Sequence, residues 1–317
     1  MPYRVLMNSP RVIGKEDYVR EFLRARGCEL IEHDRSTPLA RPEILRLLAD
    51  AAGYVPALDR VDEDVFAAAP QLRVVSAQGV GYDHIDVAAA NRRGIAVCIC
   101  AGCNNHAVSE LAFGMMLGLA RHVYAADRAM REGGWPRLVG PELWGKTLGI
   151  VGLGRVGKSS ALIGRGFGMR VLATDIRWDI TFANEHQISY VPLQRLLRES
   201  DFVSIHCPLN EQTRGLIDEA ALDLMKPTAI LINTARGPIV KEEALVGALR
   251  ERMIAGAGLD VFEVEPHPHN PYLDLPNVIL TPHLGGATNE ATDRSLELSM
   301  LNITQVLLGG EPICRVN

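Results

Sequence analysis

The sequence predicts an α/β protein built on two doubly wound parallel sheets, and three observations carry that expectation. Short apolar strands alternate with segments of helical periodicity along nearly all of the 317 residues. Strand after strand ends in glycine or polar residues, as suits a parallel sheet that takes ligands at its carboxyl edge. The strand Thr147–Val151 runs directly into Gly152-Leu153-Gly154-Arg155-Val156-Gly157, a G-x-G-x-x-G turn that opens a helix. The length is too great for one ordinary domain and fits two, each with its own core.

Taken in order, Tyr3–Met7 reads as the first strand, Val19, Phe22 and Leu23 share a helical face, and Leu30 with Ile31 begins a second strand. Ile44, Leu45, Leu47 and Leu48 repeat the helical pattern. Gly53–Val55 and residues 73–76 are further strands, with Val65 and Phe66 in the helix between them. Gln78-Gly79-Val80-Gly81 follows, and its two glycines expose backbone N–H groups suited to a carboxylate before the helix at Asp86. Residues 95–99 are a strand and Ala101-Gly102 a hinge. Asn104 or Asn105 caps a long helix running to Gly133-Gly134, with Leu111, Met115, Leu119 and Val123 on its apolar face. Trp135 and Trp144 bound a loop and are expected to serve packing.

In the glycine-rich turn each glycine has its own task. Gly152 permits the tight turn, Gly154 admits a pyrophosphate to the backbone, and Gly157 lets helix and strand pack closely. The helix N-terminus offers unpaired N–H groups and a partial positive charge to the phosphates. The next strand, Arg170–Thr174, ends at Asp175, which is 18 residues past Gly157. A carboxylate there accepts from both ribose hydroxyls and repels a 2′-phosphate, so NAD is preferred over NADP, with Arg177 close enough to soften the choice.

Beyond it, Leu193, Leu196 and Leu197 mark a helix. The strands Phe202–Ile205, 229–232 and 257–259 deliver His206-Cys207-Pro208-Leu209, Asn233-Thr234-Ala235-Arg236-Gly237 and Asp260 at their ends. A proline-rich loop precedes the strand Val278–Leu280 and the segment Pro282-His283-Leu284-Gly285-Gly286. The last helix, 288–308, carries Leu296, Met300, Ile303 and Leu307 on one side, and residues 312–317 read as a closing strand.

The 33 basic and 38 acidic residues leave a net charge of -5 with no basic block, so nucleic acid is not an expected partner. The longest apolar run, 107–120, is interrupted by Glu110 and too short to span a bilayer, and the first 15 residues lack a signal-peptide pattern. A soluble cytoplasmic protein is expected. Cys98-x-Cys100-x-x-Cys103-x-x-His106 has residue types that ligate zinc, but Cys98 belongs to an apolar strand, so buried thiols and no metal are the expectation.

The motifs Gly152 to Gly157, Asp175, His206-x-Pro208-Leu209, Asn233 to Gly237, Asp260-Val-Phe-Glu-Val-Glu265-Pro266 and Pro282-His283-x-Gly285-Gly286 together resemble those of the D-2-hydroxyacid dehydrogenases of the phosphoglycerate dehydrogenase type, over nearly the full length. The resemblance implies a Rossmann NAD-binding domain, residues 102–286, inserted in a flavodoxin-like substrate domain, residues 1–101 and 287–317. It implies a homodimer acting on a small D-2-hydroxy acid or 2-oxo acid such as 3-phosphoglycerate, glyoxylate or hydroxypyruvate. It also implies Arg236, Glu265 and His283 as the catalytic set. Contacts to NAD are implied at Gly152, Gly154, Arg155, Val156, Gly157, Asp175, His206, Pro208, Thr213, Thr234, Ala235, Arg236, Asp260, His283, Gly285 and Gly286, with Asp260 at the nicotinamide end or, as the alternative, a loop-anchoring hydrogen-bond acceptor. Substrate contacts fall to Gln78, Gly79, Val80 and Arg236. The chain departs from the phosphoglycerate enzymes after Gly53–Val55, where Pro56-Ala57-Leu58 stands in place of their arginine and Arg60 lies further on. A corepressor branch of the family offers an alternative, an NAD-responsive binding protein of the same fold.

The catalytic set makes chemical sense on its own terms. Reduction of a 2-oxo acid needs a hydride and a proton, and histidine is the side chain best poised to give and retake that proton at neutral pH. Glu265 can stabilise the imidazolium of His283 and fix which nitrogen faces the substrate. Arg236 offers a planar fork to a carboxylate and to the oxygen that gains charge. His206 and His106 compete for the acid/base role but are read as a cleft and a structural residue. Asp175→Ala is expected to narrow the preference for NAD over NADP in steady-state assays with each cofactor; an unaltered ratio would contradict the role given to this carboxylate.

Overall fold

In the computed structural model, which describes every residue except Met1, Arg35, Thr37 and Leu58, the backbone divides into two units, Met1–Asn104 with Ala287–Asn317, and Asn105–Gly286. The first unit holds β1 (Tyr3–Met7), β2 (Cys28–Leu30), β3 (Gly53–Val55), β4 (Val74–Ser76) and β5 (Ala96–Cys98), all parallel, in the order β2-β1-β3-β4-β5. Side chains alternate across this sheet. Leu6 joins Ile44, Tyr54 and Phe66 on one face, while Val5 and Met7 join Val19, Leu23, Leu296, Met300 and Ile303 on the other. With helices on both faces the strands β3, β4 and β5 are buried throughout and largely apolar, the pattern expected of a parallel sheet.

The second unit holds β6 (Thr147–Val151), β7 (Arg170–Thr174), β8 (Ile188–Tyr190), β9 (Phe202–Ile205), β10 (Ile230–Asn233), β11 (Gly256–Leu259) and β12 (Val278–Leu280). They are parallel, in the order β12-β11-β10-β9-β6-β7-β8. Ile150 and Ile232 pack with Phe113 and Met116 on one face, and Val151 and Leu231 with Leu196 and Leu249 on the other. The order reverses between β6 and β9, which opens a crevice at their carboxyl ends.

Several expectations need correction. The long helix ends at Ala120, and a separate helix, Val123–Arg131, begins after His122, whose left-handed backbone (φ 53°) breaks the helical run. Trp135 and Trp144 pack far less than expected, being 78% and 73% exposed, although the Trp144 ring lies against Gly168. β8 escaped notice because it is three residues long with Ser189 exposed at its centre. Residues 312–317 form no strand but a single antiparallel bridge, Arg315 to Cys98. The chain there is tied down by the buried Asn302, whose Oδ1 accepts from Ile313 N (3.0 Å) and Cys314 N (3.3 Å).

Cys98, Cys100 and Cys103 are buried free thiols, and Cys100 Sγ donates to Ala77 O and Ser295 O, each at 3.3 Å. Among the described residues no group of three His, Cys, Asp or Glu side chains is placed to hold a metal ion. No helix among them is long and apolar enough to cross a membrane.

Candidate active site

Polar residues gather at the ends of β6, β9, β10 and β11, on the edge of the second sheet where its strand order reverses. Gly152 follows β6 with φ 97°, and a Cβ on it would stand 2.5 Å from Cys207 N. Only glycine satisfies both demands. A Cβ on Gly157 would lie 2.1 Å from Gly152 O, whereas Gly154 faces open space. The helix Arg155–Gly166 starts after Gly154 without a side-chain cap, so the first-turn N–H groups of Arg155, Val156 and Gly157 are free of intrahelical partners and suit an anion.

Asp175 lies just past β7. Its Oδ2 accepts from Leu153 N (2.7 Å) and its Oδ1 from Arg177 N (2.9 Å), which aims the carboxylate beside the glycine turn. Trp178 braces this corner, donating from Nε1 to Asp175 O (3.0 Å) while its ring stacks on Tyr190 at 4.9 Å. The Thr234 hydroxyl after β10 is buried and unpartnered among the described residues, a polar group left for a ligand. A glycine turn open at Gly154, a preset acid at Asp175 and this hydroxyl fit NAD.

His206, at the end of β9, places Nε2 2.9 Å from Ser204 Oγ and 3.0 Å from Ser160 Oγ. Burial pushes its pKa down to about 4, which disfavours the imidazolium and makes the ring a poor general acid at pH 7. His106 is exposed and lies 3.3 Å from Ser159 Oγ. Thr213 Oγ1 donates to Pro208 O (2.6 Å) and accepts from Asn210 N (2.8 Å), closing the 208–213 loop.

The structure brings Glu265 and His283 into direct contact, with His283 Nδ1 2.6 Å from Glu265 Oε2. Glu265 Oε1 accepts from Phe262 N (2.9 Å). Burial raises the Glu265 carboxyl, but the hydrogen bonds from His283 and Phe262 and the charges of His283 and Arg236 outweigh it and hold the group below its ordinary value. The His283 side chain remains 42% exposed. With Nδ1 on the carboxylate, Nε2 is the nitrogen left for a substrate.

Arg236 follows Ala235, whose N donates to Asn233 Oδ1 (3.1 Å), while Asn233 Nδ2 donates back to Arg236 O (2.9 Å). The next residue explains how this turn comes so near the loop carrying Glu265. A Cβ on Gly237 would fall 2.0 Å from the Phe262 carbonyl carbon, so any side chain there would drive the two loops apart.

Asp260 is fully buried, and its carboxylate is an anchor for the His283 loop. Oδ1 accepts from Thr281 Oγ1 and Leu284 N, both at 2.6 Å, and Oδ2 from Gly285 N at 2.8 Å. His283 N donates to Asp260 O (2.9 Å), fixing a histidine backbone at φ 56° that would otherwise be unfavourable. The sequence placed Asp260 at the nicotinamide end, with a loop-anchoring acceptor as the alternative, and the three donors show that anchoring; the parts played by Thr281 and the Phe262 N–H were not expected. Thr281 could have been suspected from its place directly before Pro282-His283.

In the first unit, Gln78 is 8% exposed, its backbone oxygen accepts from Arg11 Nη1 (2.6 Å), and its carboxamide is buried without a partner among the described residues. Gly79 O accepts from Cys100 N (2.8 Å), and Val80 is 39% exposed.

Fold and site together define a nicotinamide-dependent dehydrogenase. Residues 113–285 match the family described as D-isomer specific 2-hydroxyacid dehydrogenase, NAD binding domain. A glyoxylate reductase of Thermofilum pendens is 44% identical over 301 residues, 92% of this chain and 88% of that protein. A crystal structure of a glyoxylate reductase from Paecilomyes thermophila matches with a TM-score of 0.86 at 30% identity, over 99% of this chain and 98% of that one. A D-lactate dehydrogenase from Aquifex aeolicus, solved with NAD and lactic acid, matches with a TM-score of 0.83 at 27% identity, over 96% of each chain. The chain belongs to the D-isomer-specific 2-hydroxyacid dehydrogenase family. It is an NAD-dependent oxidoreductase of hydroxy and oxo acids, and the enzymatic reading displaces the corepressor alternative.

Gly237→Ala should lower stability by about 1–3 kcal/mol through overpacking and lower kcat as the Arg236 turn is pushed off the Glu265 loop. Thermal unfolding and turnover measured together check this, and wild-type values for both would contradict the close approach.

Proposed function

We propose that the chain reduces a small, unphosphorylated 2-oxo acid of the glyoxylate or hydroxypyruvate kind at the expense of NADH. The carrying observation is the 2.6 Å contact between Glu265 and His283 with Arg236 close enough to bias the Glu265 carboxyl. Bound NAD(H) would be held by the turn from Gly152 to Gly157, Asp175 and Thr234, and it supplies or accepts the hydride. His283 gives a proton from Nε2 to the carbonyl oxygen on reduction and takes it back on oxidation. Glu265 balances the imidazolium and keeps the ring turned so that Nε2 faces outward. Arg236 presents its guanidinium to the substrate carboxylate and to the oxygen that gains negative charge. Asp260, Gly285 and Gly286 hold the His283 loop, with Asp260 retaining acceptor capacity for the nicotinamide end.

The first unit is assigned the substrate carboxylate, through Gly79, Val80 and the unpartnered carboxamide of Gln78. An unphosphorylated substrate is favoured by the loop after β3. Leu58 lies outside the described residues, but Asp59 Oδ2 there accepts from Asn8 Nδ2 (2.6 Å), Tyr54 OH (3.2 Å) and Ala57 N (3.2 Å). Arg60 is turned to Asp62, at 3.4 Å, with 81% of its side chain exposed. An acid organises this loop, and the relatives named above as glyoxylate reductases support the same choice. Free cysteines fit a reducing cytoplasmic setting.

A homodimer is proposed from the second unit's surface. Between residues 123 and 144, Val123, Tyr124, Trp135, Val139 and Trp144 are each at least 50% exposed, a concentration of apolar surface that marks an interface. A groove of about 890 Å³ lined by residues including His122, Tyr124, Arg128 and Arg252 adjoins it and contains none of the three catalytic residues, so it suits docking and not chemistry.

NADH oxidation followed against a panel of 2-oxo acids should show turnover with glyoxylate or hydroxypyruvate and little with a phosphorylated 2-oxo acid; the reverse ranking would refute the assignment. His283→Ala should cut kcat roughly 10² to 10⁴-fold with NADH affinity near wild type, and an unchanged kcat would move the proton to another group. Light scattering should give twice the 34.6 kDa chain mass, with Val139→Glu shifting it to the monomer; a wild-type monomer would exclude the dimer.

A further inference from the structure

We propose that His267 and Glu242 form an outlying imidazole–carboxylate pair that positions Glu265, so that the acid of the catalytic dyad is held in place from outside the site. This rests on the assignment of Glu265 and His283 made above. His267 stands two residues after Glu265, and its Nε2 lies 3.1 and 3.3 Å from the two carboxylate oxygens of Glu242. Both side chains are largely buried, 13% and 20% exposed. Glu242 opens the helix Glu242–Arg250, which is fixed in the core by Leu245, Val246, Ala248 and Leu249. The loop is thereby tied to a rigid element.

The imidazole of His267 also meets the Phe262 ring edge-on, at 6.2 Å and 88°. Phe262 is the residue whose backbone N–H donates to Glu265 Oε1. The turn 262–267 is therefore closed from within by Glu265 and locked from without by His267, and both ends converge on Phe262. Side chains that orient a reacting group need such locked support, because misplacement by an ångström is enough to lose activity.

The chemistry of His267 argues for position and against simple space-filling. Nε2 facing a carboxylate carries hydrogen, while Nδ1 is buried without a partner among the described residues. A buried unpaired nitrogen is unfavourable, and an apolar side chain would occupy the same volume without it. What the imidazole adds is a directed tie to Glu242. Among the described residues no hydrogen bond links His267 to Glu265 or His283, so it acts as a positioning residue and not in proton transfer.

The test compares His267→Ala, His267→Gln and Glu265→Gln in steady-state reduction of glyoxylate with NADH, alongside thermal unfolding. His267→Ala should lose roughly 10- to 100-fold in kcat while KM for NADH and Tm stay near wild type. His267→Gln, which keeps a donor toward Glu242, should recover most of the loss. Wild-type kcat in His267→Ala beside an impaired Glu265→Gln would overturn the positioning role and leave the dyad standing. Wild-type kcat in Glu265→Gln would remove the dyad and this proposal with it. A kcat loss matched by a raised KM for NADH and a lowered Tm would show general damage and also overturn it. Glu242→Ala breaks the same tie from the helix side and is expected to give the same pattern, which covers the case in which His267→Ala does not fold.

Discussion

A carboxylate drawn part-way out of water and kept ionised by the donors around it is the constraint on which the site depends. Burial alone would raise the Glu265 carboxyl and so weaken its hold on His283. The Phe262 N–H, the His283 imidazole and the charge of Arg236 reverse that tendency. Because the folded value lies below the unfolded one, the resulting stabilisation is fully present above the ordinary glutamate range and is lost as pH falls through the folded value. The contribution of the ionised Glu265 is thus present at neutral pH and lost in acid.

The fold meets this constraint through loops at adjacent strand ends. β10 delivers Arg236 and β11 delivers Asp260, whose carboxylate gathers the segment after β12 around itself. His283 can then occupy a left-handed backbone conformation because its N–H is claimed on the Asp260 side. Gly237 removes the one side chain that would separate the Arg236 turn from the Glu265 turn. On the cofactor side, Gly152 performs a similar service where β6 and β9 diverge. Parallel pairing sets which loops are neighbours, and glycines set how closely they approach.

Much of this was legible in the sequence because it follows from local rules. Continuous apolar strands, a glycine turn between strand and helix, and an acid at the next strand end each report directly on backbone geometry. The preference for His283 over His206 came from motif position, and the structure adds a fact that no motif carries, the burial of His206 beside two serine hydroxyls. What escaped notice depended on long-range contact or on a single backbone angle. Nothing in the apolar periodicity around residue 122 announces a left-handed histidine, so one long helix was expected where two exist. Asp260, at a strand end, allowed both a cofactor contact and a loop anchor, and its three donors show the anchor. Trp135 and Trp144 read as packing because of their size, while their exposure depends on how the loop folds.

The central claim can be met directly by following the Glu265 side-chain carboxyl carbon by NMR as the protein is titrated with acid. A midpoint below the ordinary glutamate value is expected, moving upward in His283→Ala when one of its donors is lost. A midpoint at or above the ordinary value in the wild-type protein would contradict the account, since burial would then outweigh the hydrogen bonds said to hold the acid against His283.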